Sequence, residues 1–348
     1  MALDGDRLQA FTERFAADQA ATMHAATIVV GDQLGLYRAL ADGGSQTASE
    51  LAGATGCHPR LVREWLNAQV ASAYCEHDDG RYWLTPEQAA CLADPSSPTF
   101  VAGGALAASA VHKDTERVRQ AFTADGGIGW DEHHADLFAG TLRFFEPAYR
   151  ANLAGSWVPA LDGMADTLTA GGRVADIGCG YGAALILLAQ AYPASTFSGF
   201  DYHAGSIAAA RKAAAEAGVS DRVTFEVAGA DDFPGHDYDL VCVFNALHEW
   251  GDPVRAARRI RDALIADGTW MFTEPRTDDV LGEGVRARTF YSVSTFVCTP
   301  SALSQGCEDP LGAQAGEDRL RRVVEEAGFA SFRRAAETPA FMVLEARP

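Results

Sequence analysis

Three glycines, Gly178, Gly180 and Gly182, follow the stretch Val174-Ala175-Asp176-Ile177 and precede a helix-forming run through Leu185, Ile186, Leu188 and Ala189. A glycine turn between a strand and a helix lets the backbone pass close to a ligand and leaves the first amides of the helix free to donate hydrogen bonds. With Asp201 closing the next strand, Gly178-x-Gly180-x-x-Ala183 also fits a nicotinamide dinucleotide fingerprint, in which the acid holds ribose hydroxyls. Asp176 separates the two readings. Two residues before the first glycine, its carboxylate stands where a dinucleotide needs room for pyrophosphate, whereas a ligand with an ammonium group and no phosphate gains from it.

The elements that must position these residues alternate in type. Strands are expected at 174–177, 196–200, 223–228, 238–244 and 269–273, with helices at 206–217 and 254–264 between them. That alternation implies a parallel sheet covered on both faces, with ligands at the carboxyl ends of its strands. A helix over 290–296, another over 320–328, and an antiparallel pair at 330–336 and 340–346 complete the chain.

The first hundred residues are helical in texture. Ile28, Val29, Leu34, Leu36, Tyr37 and Leu40 recur at helical spacing before Asp42-Gly43-Gly44. Thr47-Ala48-Ser49-Glu50 is a capping box, Gly56 closes its helix, and Pro59 suits the first turn of the next, through Leu61, Val62, Trp65, Leu66 and Val70. Residues 74–76 and 81–84 around Asp78-Asp79-Gly80 read as a hairpin, and Thr85-Pro86-Glu87-Gln88 caps a further helix. A helix-turn-helix followed by a hairpin is a winged helix. Its second helix carries Arg60 and Arg63 against Glu64, too little positive charge to grip phosphates, so an interaction or dimerisation module is expected rather than DNA binding.

Composition sets the outer limits. The 348 residues include 48% hydrophobic and 22% charged side chains, an ordinary folded-protein balance that accommodates two domains. Forty-seven acids against 28 bases give a net charge of −19, and only Lys113 and Lys212 are lysines, which argues against nucleic-acid and anionic-membrane partners. The most apolar run, 100–111, is mostly Ala and Gly, and residues 1–6 carry two acids where a signal peptide would carry positive charge, so a cytoplasmic protein is expected. Seven scattered cysteines form no Cys-x-x-Cys pair and read as reduced, mostly buried thiols. Asp131-Glu132-His133-His134-Ala135-Asp136 has the composition of a metal cluster without a recurring ligand spacing, and no metal site is expected.

Asp176-Ile-Gly178-Cys-Gly180-Tyr-Gly182 with Asp201 resembles the S-adenosylmethionine site of class I methyltransferases. The whole chain is similar to bacterial methyltransferases that join an Rv2258c-like winged-helix domain to that fold. The resemblance implies an α/β fold with a Rossmann-like seven-stranded methyltransferase sheet and an N-terminal, mainly helical winged-helix domain. It divides the chain into a winged-helix and dimerisation domain at 1–96, connecting helices over the active site at 97–165 and a catalytic domain at 166–348.

Carried onto this sequence, the resemblance lets the Gly178–Gly182 loop wrap the methionine part, with Asp176 and Asn245 beside it. Asp201 takes the ribose hydroxyls, and Asp231, or its neighbour Asp232, takes the adenine amino group. Asn245-Ala246-Leu247-His248-Glu249-Trp250-Gly251-Asp252 resembles the segment that carries the catalytic histidine of winged-helix small-molecule O-methyltransferases, with Glu249 where an aspartate is usual. His248 is the expected base and Glu274 its partner, because a carboxylate can orient an imidazole and stabilise its charged form. Phe144, Phe145, Tyr149 and Tyr291 are expected to line the acceptor pocket. The expected function is O-methylation of a small molecule by a homodimer. The alternatives are an S-, N- or C-methyltransferase in which His248 only positions substrate, an NAD(P)-dependent oxidoreductase, and a ligand-sensing winged-helix regulator.

Overall fold

The computed structural model describes residues 3–124, 126–277 and 281–348. Met1 and Ala2, the start of the N-terminal stretch read above, lie outside them. By compactness the chain forms two units, one of residues up to His112 with Ala135–Pro147, the other of Lys113–His134 with Ala148–Pro348. The segment 97–165 is therefore shared between them.

In the first unit, Asp4 caps a 29-residue helix, Gly5–Gln33, by accepting from the Asp6 and Arg7 amides. The Thr47 box forms in full: the Glu50 amide donates to Thr47 Oγ1 at 3.2 Å and the Thr47 amide to Glu50 Oε2 at 2.7 Å. Its helix, Ala48–Thr55, stops at Gly56, and Pro59 opens the helix Pro59–Ala71. Strands β1 (Glu76–Asp78) and β2 (Arg81–Trp83) pair as the wing, and a second capping box, Thr85 with Gln88, starts the helix Pro86–Leu92. Leu36, Tyr37, Leu40, Leu51, Val62, Trp65, Leu66 and Tyr82 share one core, each such large apolar side chain stabilising by roughly 1.5–3 kcal/mol when buried. The buried Tyr37 hydroxyl donates to Gln69 Oε1 at 2.6 Å, which removes the cost of leaving both groups unpaired. On the outer face of the second helix, Arg60 is engaged by Glu64 and Leu61 is exposed.

The second unit holds the sheet: β3 (Arg173–Ile177), β4 (Thr196–Asp201), β5 (Val223–Val227), β6 (Tyr238–Phe244), β7 (Leu264–Pro275), β8 (Ser331–Glu337) and β9 (Phe341–Arg347). They lie in the order β5-β4-β3-β6-β7-β9-β8, with β3 to β7 parallel and β9 antiparallel to both its neighbours. Central strands read as unbroken apolar runs because both faces are buried: Val241, Cys242 and Val243 of β6 and Trp270, Met271 and Phe272 of β7 are inaccessible to solvent. Strand order reverses between β3 and β6, opening a crevice at their carboxyl ends.

Two boundaries differ most from expectation. Strand β7 begins at Leu264 rather than Thr269, because the helix Pro253–Ala263 runs directly into it and Leu264 already pairs with Tyr238 before a register shift. The helix expected over 290–296 starts at Val285, ends at Val293 and loosens into a π-helical turn, Ser294–Cys298. Among the described residues no helix is long and apolar enough to cross a membrane.

Candidate active site

The glycine turn and the end of β6 meet at the reversal of strand order. Gly178 has φ +74°, and a Cβ there would come within 2.9 Å of Ala246, so only glycine lets these two loops approach. At Gly180 a Cβ would meet no protein atom within 4 Å, which leaves that side of the turn open to a ligand. The Gly180 amide donates to Asp201 Oδ2 at 2.9 Å and the His203 amide to Oδ1 at 2.8 Å, fixing the carboxylate at the end of β4.

Asp176 is buried on β3, and its Oδ1 has no hydrogen-bond partner. Burial, reinforced by the charge of Asp201, pushes its carboxyl well above the usual range. Burial raises Asp201 too, with the His203 and Gly180 amides pulling the other way. Two buried acids competing to be charged form a site that a cationic ligand would relieve.

Asn245 ends β6 in the left-handed region, φ +54°, a strained conformation for a side-chain-bearing residue. Its amide donates to the Thr273 carbonyl at 2.9 Å and its Nδ2 to Thr273 Oγ1 at 3.0 Å, while Oδ1 is buried without a partner. Asp231 is paired with Arg255 at 3.0 Å, and Asp232 Oδ1 accepts from the Gly229 amide at 2.9 Å, so Asp232 is turned back onto its own loop.

His248 lies in the short turn Leu247–Glu249, after which Asp252 caps the helix Pro253–Ala263 by accepting from the Arg255 amide at 2.8 Å. Its Nδ1 is 2.5 Å from Glu274 Oε2, and both side chains are buried. Glu274 is held in β7 between β6 and β9, opposite Met342, so the rigid sheet sets the carboxylate and the carboxylate sets the imidazole. A carboxylate can only accept, so Nδ1 carries the shared proton and Nε2 is left to face the site. Burial disfavours charge on the ring, but the adjoining Glu274 carboxylate outweighs it and holds His248 well above the usual histidine range.

Nε2 lies 3.8 Å from Glu249 Oε1. Burial pushes the Glu249 carboxyl up, with His248 opposing. Cys298, at the end of the π-helical turn, lies within 4.8 Å of both His248 and Glu249, and burial followed by the Glu249 charge pushes its thiol up to about 12. Sequence reasoning grouped Cys298 with the reduced, mostly buried thiols; nothing in its spacing marks a partner fifty residues upstream.

The four aromatic residues expected around the acceptor are divided between the two units. Tyr149 is buried in the second unit, its ring 5.2 Å from that of Phe244, the last residue of β6. Tyr291, on the helix Val285–Val293, is 37% exposed. Phe144 and Phe145 belong to the first unit, ring centroids 5.1 Å apart. In the 131–136 segment, His133 is buried with Nδ1 3.0 Å from Asp114 Oδ2, a pairing no local spacing announces.

Residues 168–328 match the family described as a methyltransferase domain, and residues 22–94 match the Rv2258c-like winged helix-turn-helix domain. The chain is a methyltransferase. More narrowly, it is one whose catalytic domain follows an Rv2258c-like winged helix. The dehydrogenase and regulator readings are not favoured by these matches. Among solved structures the fold resembles mitomycin 7-O-methyltransferase MmcR, with 20% identity, a TM-score of 0.71 and coverage of 99% of this chain and 100% of that one. It also resembles human N-acetylserotonin methyltransferase in complex with SAM, with 17% identity, a TM-score of 0.71 and coverage of 100% and 99%. CalO1, a methyltransferase in calicheamicin biosynthesis in its SAH-bound form, is 23% identical, with a TM-score of 0.66 and coverage of 99% and 100%. No curated protein sequence matches the chain.

Proposed function

We propose that this methyltransferase binds S-adenosylmethionine at the Gly178–Gly182 turn and methylates a small-molecule acceptor at oxygen, with His248 as general base and Glu274 as its partner. When bound, S-adenosylmethionine supplies an electrophilic methyl group on a sulfonium. The protein must then align the acceptor and, for a hydroxyl, take its proton. The observation that carries this reading is the buried 2.5 Å contact between His248 Nδ1 and Glu274 Oε2. It leaves Nε2 to receive the acceptor's proton and makes the neutral ring a stronger base than a free imidazole.

The residues present suit the cofactor's chemistry. Asp176 Oδ1 and Asn245 Oδ1, both buried and unpartnered, can accept from an ammonium group. Asp201 would take ribose hydroxyls while keeping its two backbone amides, since a carboxylate accepts more than two hydrogen bonds. Asp231 is the better placed of the two adenine candidates, because Asp232 is folded onto the Gly229 amide. Oxygen as the acceptor atom is supported by the basic dyad and by the 7-O-methyltransferase name of one structural neighbour; a thiolate or activated carbon would need no such base.

We read the first 96 residues as a homodimerisation module that does not bind DNA. Leu8, Phe11, Phe15, Met23 and Val30 are all exposed on the helix Gly5–Gln33 and, at 100° per residue, fall on one stripe that a second copy could cover. A cytoplasmic setting agrees with seven free cysteines.

Calorimetric titration of the ligand-free protein with S-adenosylhomocysteine, with NADH in parallel and Asp201→Ala as control, tests the cofactor. His248→Ala then tests the base: S-adenosylhomocysteine affinity is kept and turnover falls about 10²- to 10⁴-fold. Unchanged turnover ends that assignment, and NADH binding alone overturns the methyltransferase chemistry.

A further inference from the structure

Three side chains with metal-ligating atoms converge on one point of the active site. One ligand atom each from His248, Glu249 and Cys298 lies within 4.8 Å of the other two, and His248 and Cys298 are buried. Four-coordinate zinc sets its nitrogen, oxygen and sulfur ligands roughly 3.3–3.8 Å apart. The 3.8 Å between His248 Nε2 and Glu249 Oε1 is within a few tenths of an ångström of the nitrogen–oxygen edge of such a site.

The surroundings suit a metal. Zinc-bound histidines characteristically donate their other ring N–H to a carboxylate, which fixes the tautomer and raises ligand basicity. Glu274 does this for His248, leaving Nε2 on the side of Glu249 and Cys298. The donor set of one imidazole, one thiolate and one carboxylate carries two negative charges, which a dication neutralises in a buried place where isolated charges are costly. A thiolate selects a thiophilic metal over magnesium or calcium. Three protein ligands leave the fourth tetrahedral position to water or another oxygen, the arrangement of open rather than structural zinc sites.

We propose that His248, Glu249 and Cys298 form a binding site for a thiophilic divalent cation, Zn²⁺ by its chemistry, that competes with the use of His248 as a base. Binding uses the thiolate and an unprotonated Nε2, so the thiol proton and any proton on Nε2 leave to solvent. Zinc and proton abstraction then need the same lone pair. The binding site stands on its own observations; only its inhibitory consequence rests on the proposed role of His248.

The test uses the full chain, freed of metal by chelation and buffer exchange, and titrated with Co²⁺ as a spectroscopic substitute for zinc. One Co²⁺ per chain is expected, with a sulfur-to-cobalt charge-transfer band in the near ultraviolet and the intense visible bands of a four-coordinate ion, both erased by stoichiometric Zn²⁺. Cys298→Ser removes the charge-transfer band, Glu274→Gln weakens Co²⁺ binding about 10- to 100-fold, and Cys307→Ser changes neither. Circular dichroism checks that each variant is folded; should Cys298→Ser fail to fold, Glu249→Gln replaces it and must weaken Co²⁺ binding at least tenfold. A titration with no charge-transfer band, or a band that survives Cys298→Ser, overturns the site. S-adenosylhomocysteine calorimetry on the metal-free protein, run separately, shows whether the methyltransferase chemistry stands whatever the cobalt titration gives. If it stands, Zn²⁺ suppresses methyl transfer and a chelator restores it.

Discussion

His248 at the end of the β6 loop and Glu274 on β7 share a buried contact of 2.5 Å across 26 residues of chain. The imidazole is oriented by a carboxylate that the sheet itself immobilises. Glu274→Gln keeps the shape but removes the charge that fixes the proton on Nδ1. Turnover should fall about 10- to 100-fold with little change in acceptor KM, because the loss lies in proton transfer rather than binding. Steady-state kinetics separate the two; a pure KM effect would assign Glu274 to substrate binding.

Asp176 gives a prediction in stability. Burial raises its folded-state value above the unfolded one of about 3.9. A folded acid that holds its proton more tightly contributes most at low pH, and that contribution is lost as pH rises from the unfolded value through the folded one. Asp176→Asn should therefore stabilise the ligand-free protein by about 1 kcal/mol at pH 8 and by less at pH 4, while weakening S-adenosylhomocysteine binding at least tenfold. Thermal melts at the two pH values, with and without ligand, check the sign. A variant less stable at pH 8 would mean that Asp176 is ionised and well paired in the ligand-free fold.

The glycine turn separates strain from ligand space. In Gly182→Ala the new methyl would lie 2.5 Å from the Phe225 ring at φ +77°, so the variant should lose about 2–4 kcal/mol of stability. At Gly180, φ +52°, no protein atom is near, and Gly180→Ala should cost only about 1 kcal/mol yet reduce S-adenosylhomocysteine affinity tenfold or more. Denaturant melts and calorimetry on the pair decide it; equal affinity in Gly180→Ala would show that the open side is not the ligand's side.

Thr47→Ala removes the hydroxyl that caps the helix Ala48–Thr55 and leaves the Glu50 amide without its acceptor. A loss of about 1 kcal/mol is expected, read as a lower melting temperature, with S-adenosylhomocysteine affinity unchanged. A change in cofactor affinity would tie the winged helix to the catalytic site.

Duplex DNA should not bind the protein at physiological salt. Arg60 is already engaged by Glu64, and the net charge of −19 opposes phosphate. Fluorescence anisotropy with a labelled duplex checks this, and binding that weakens steeply with salt would return the winged helix to a DNA-reading role.

What the sequence determined by itself is what local chemistry and short spacing encode. The capping boxes at Thr47 and Thr85 form between residues three apart, and the turn Gly178–Gly182 follows from backbone freedom that glycine has wherever it stands. The seven strands were legible because burial on both faces forces β6 and β7 to be apolar, and Asp201 stands at the end of β4, whereas His248, in the turn after β6, was singled out through the resemblance of its segment to a known family. Only the tertiary structure decided which polar groups share a place. It set Cys298 against His248 and Glu249 through a π-helical turn, paired His133 with Asp114, and packed Tyr149 against Phe244. The physical reason is range: a cap or a glycine turn is fixed within one turn of chain, whereas a contact across fifty residues depends on how separate elements pack.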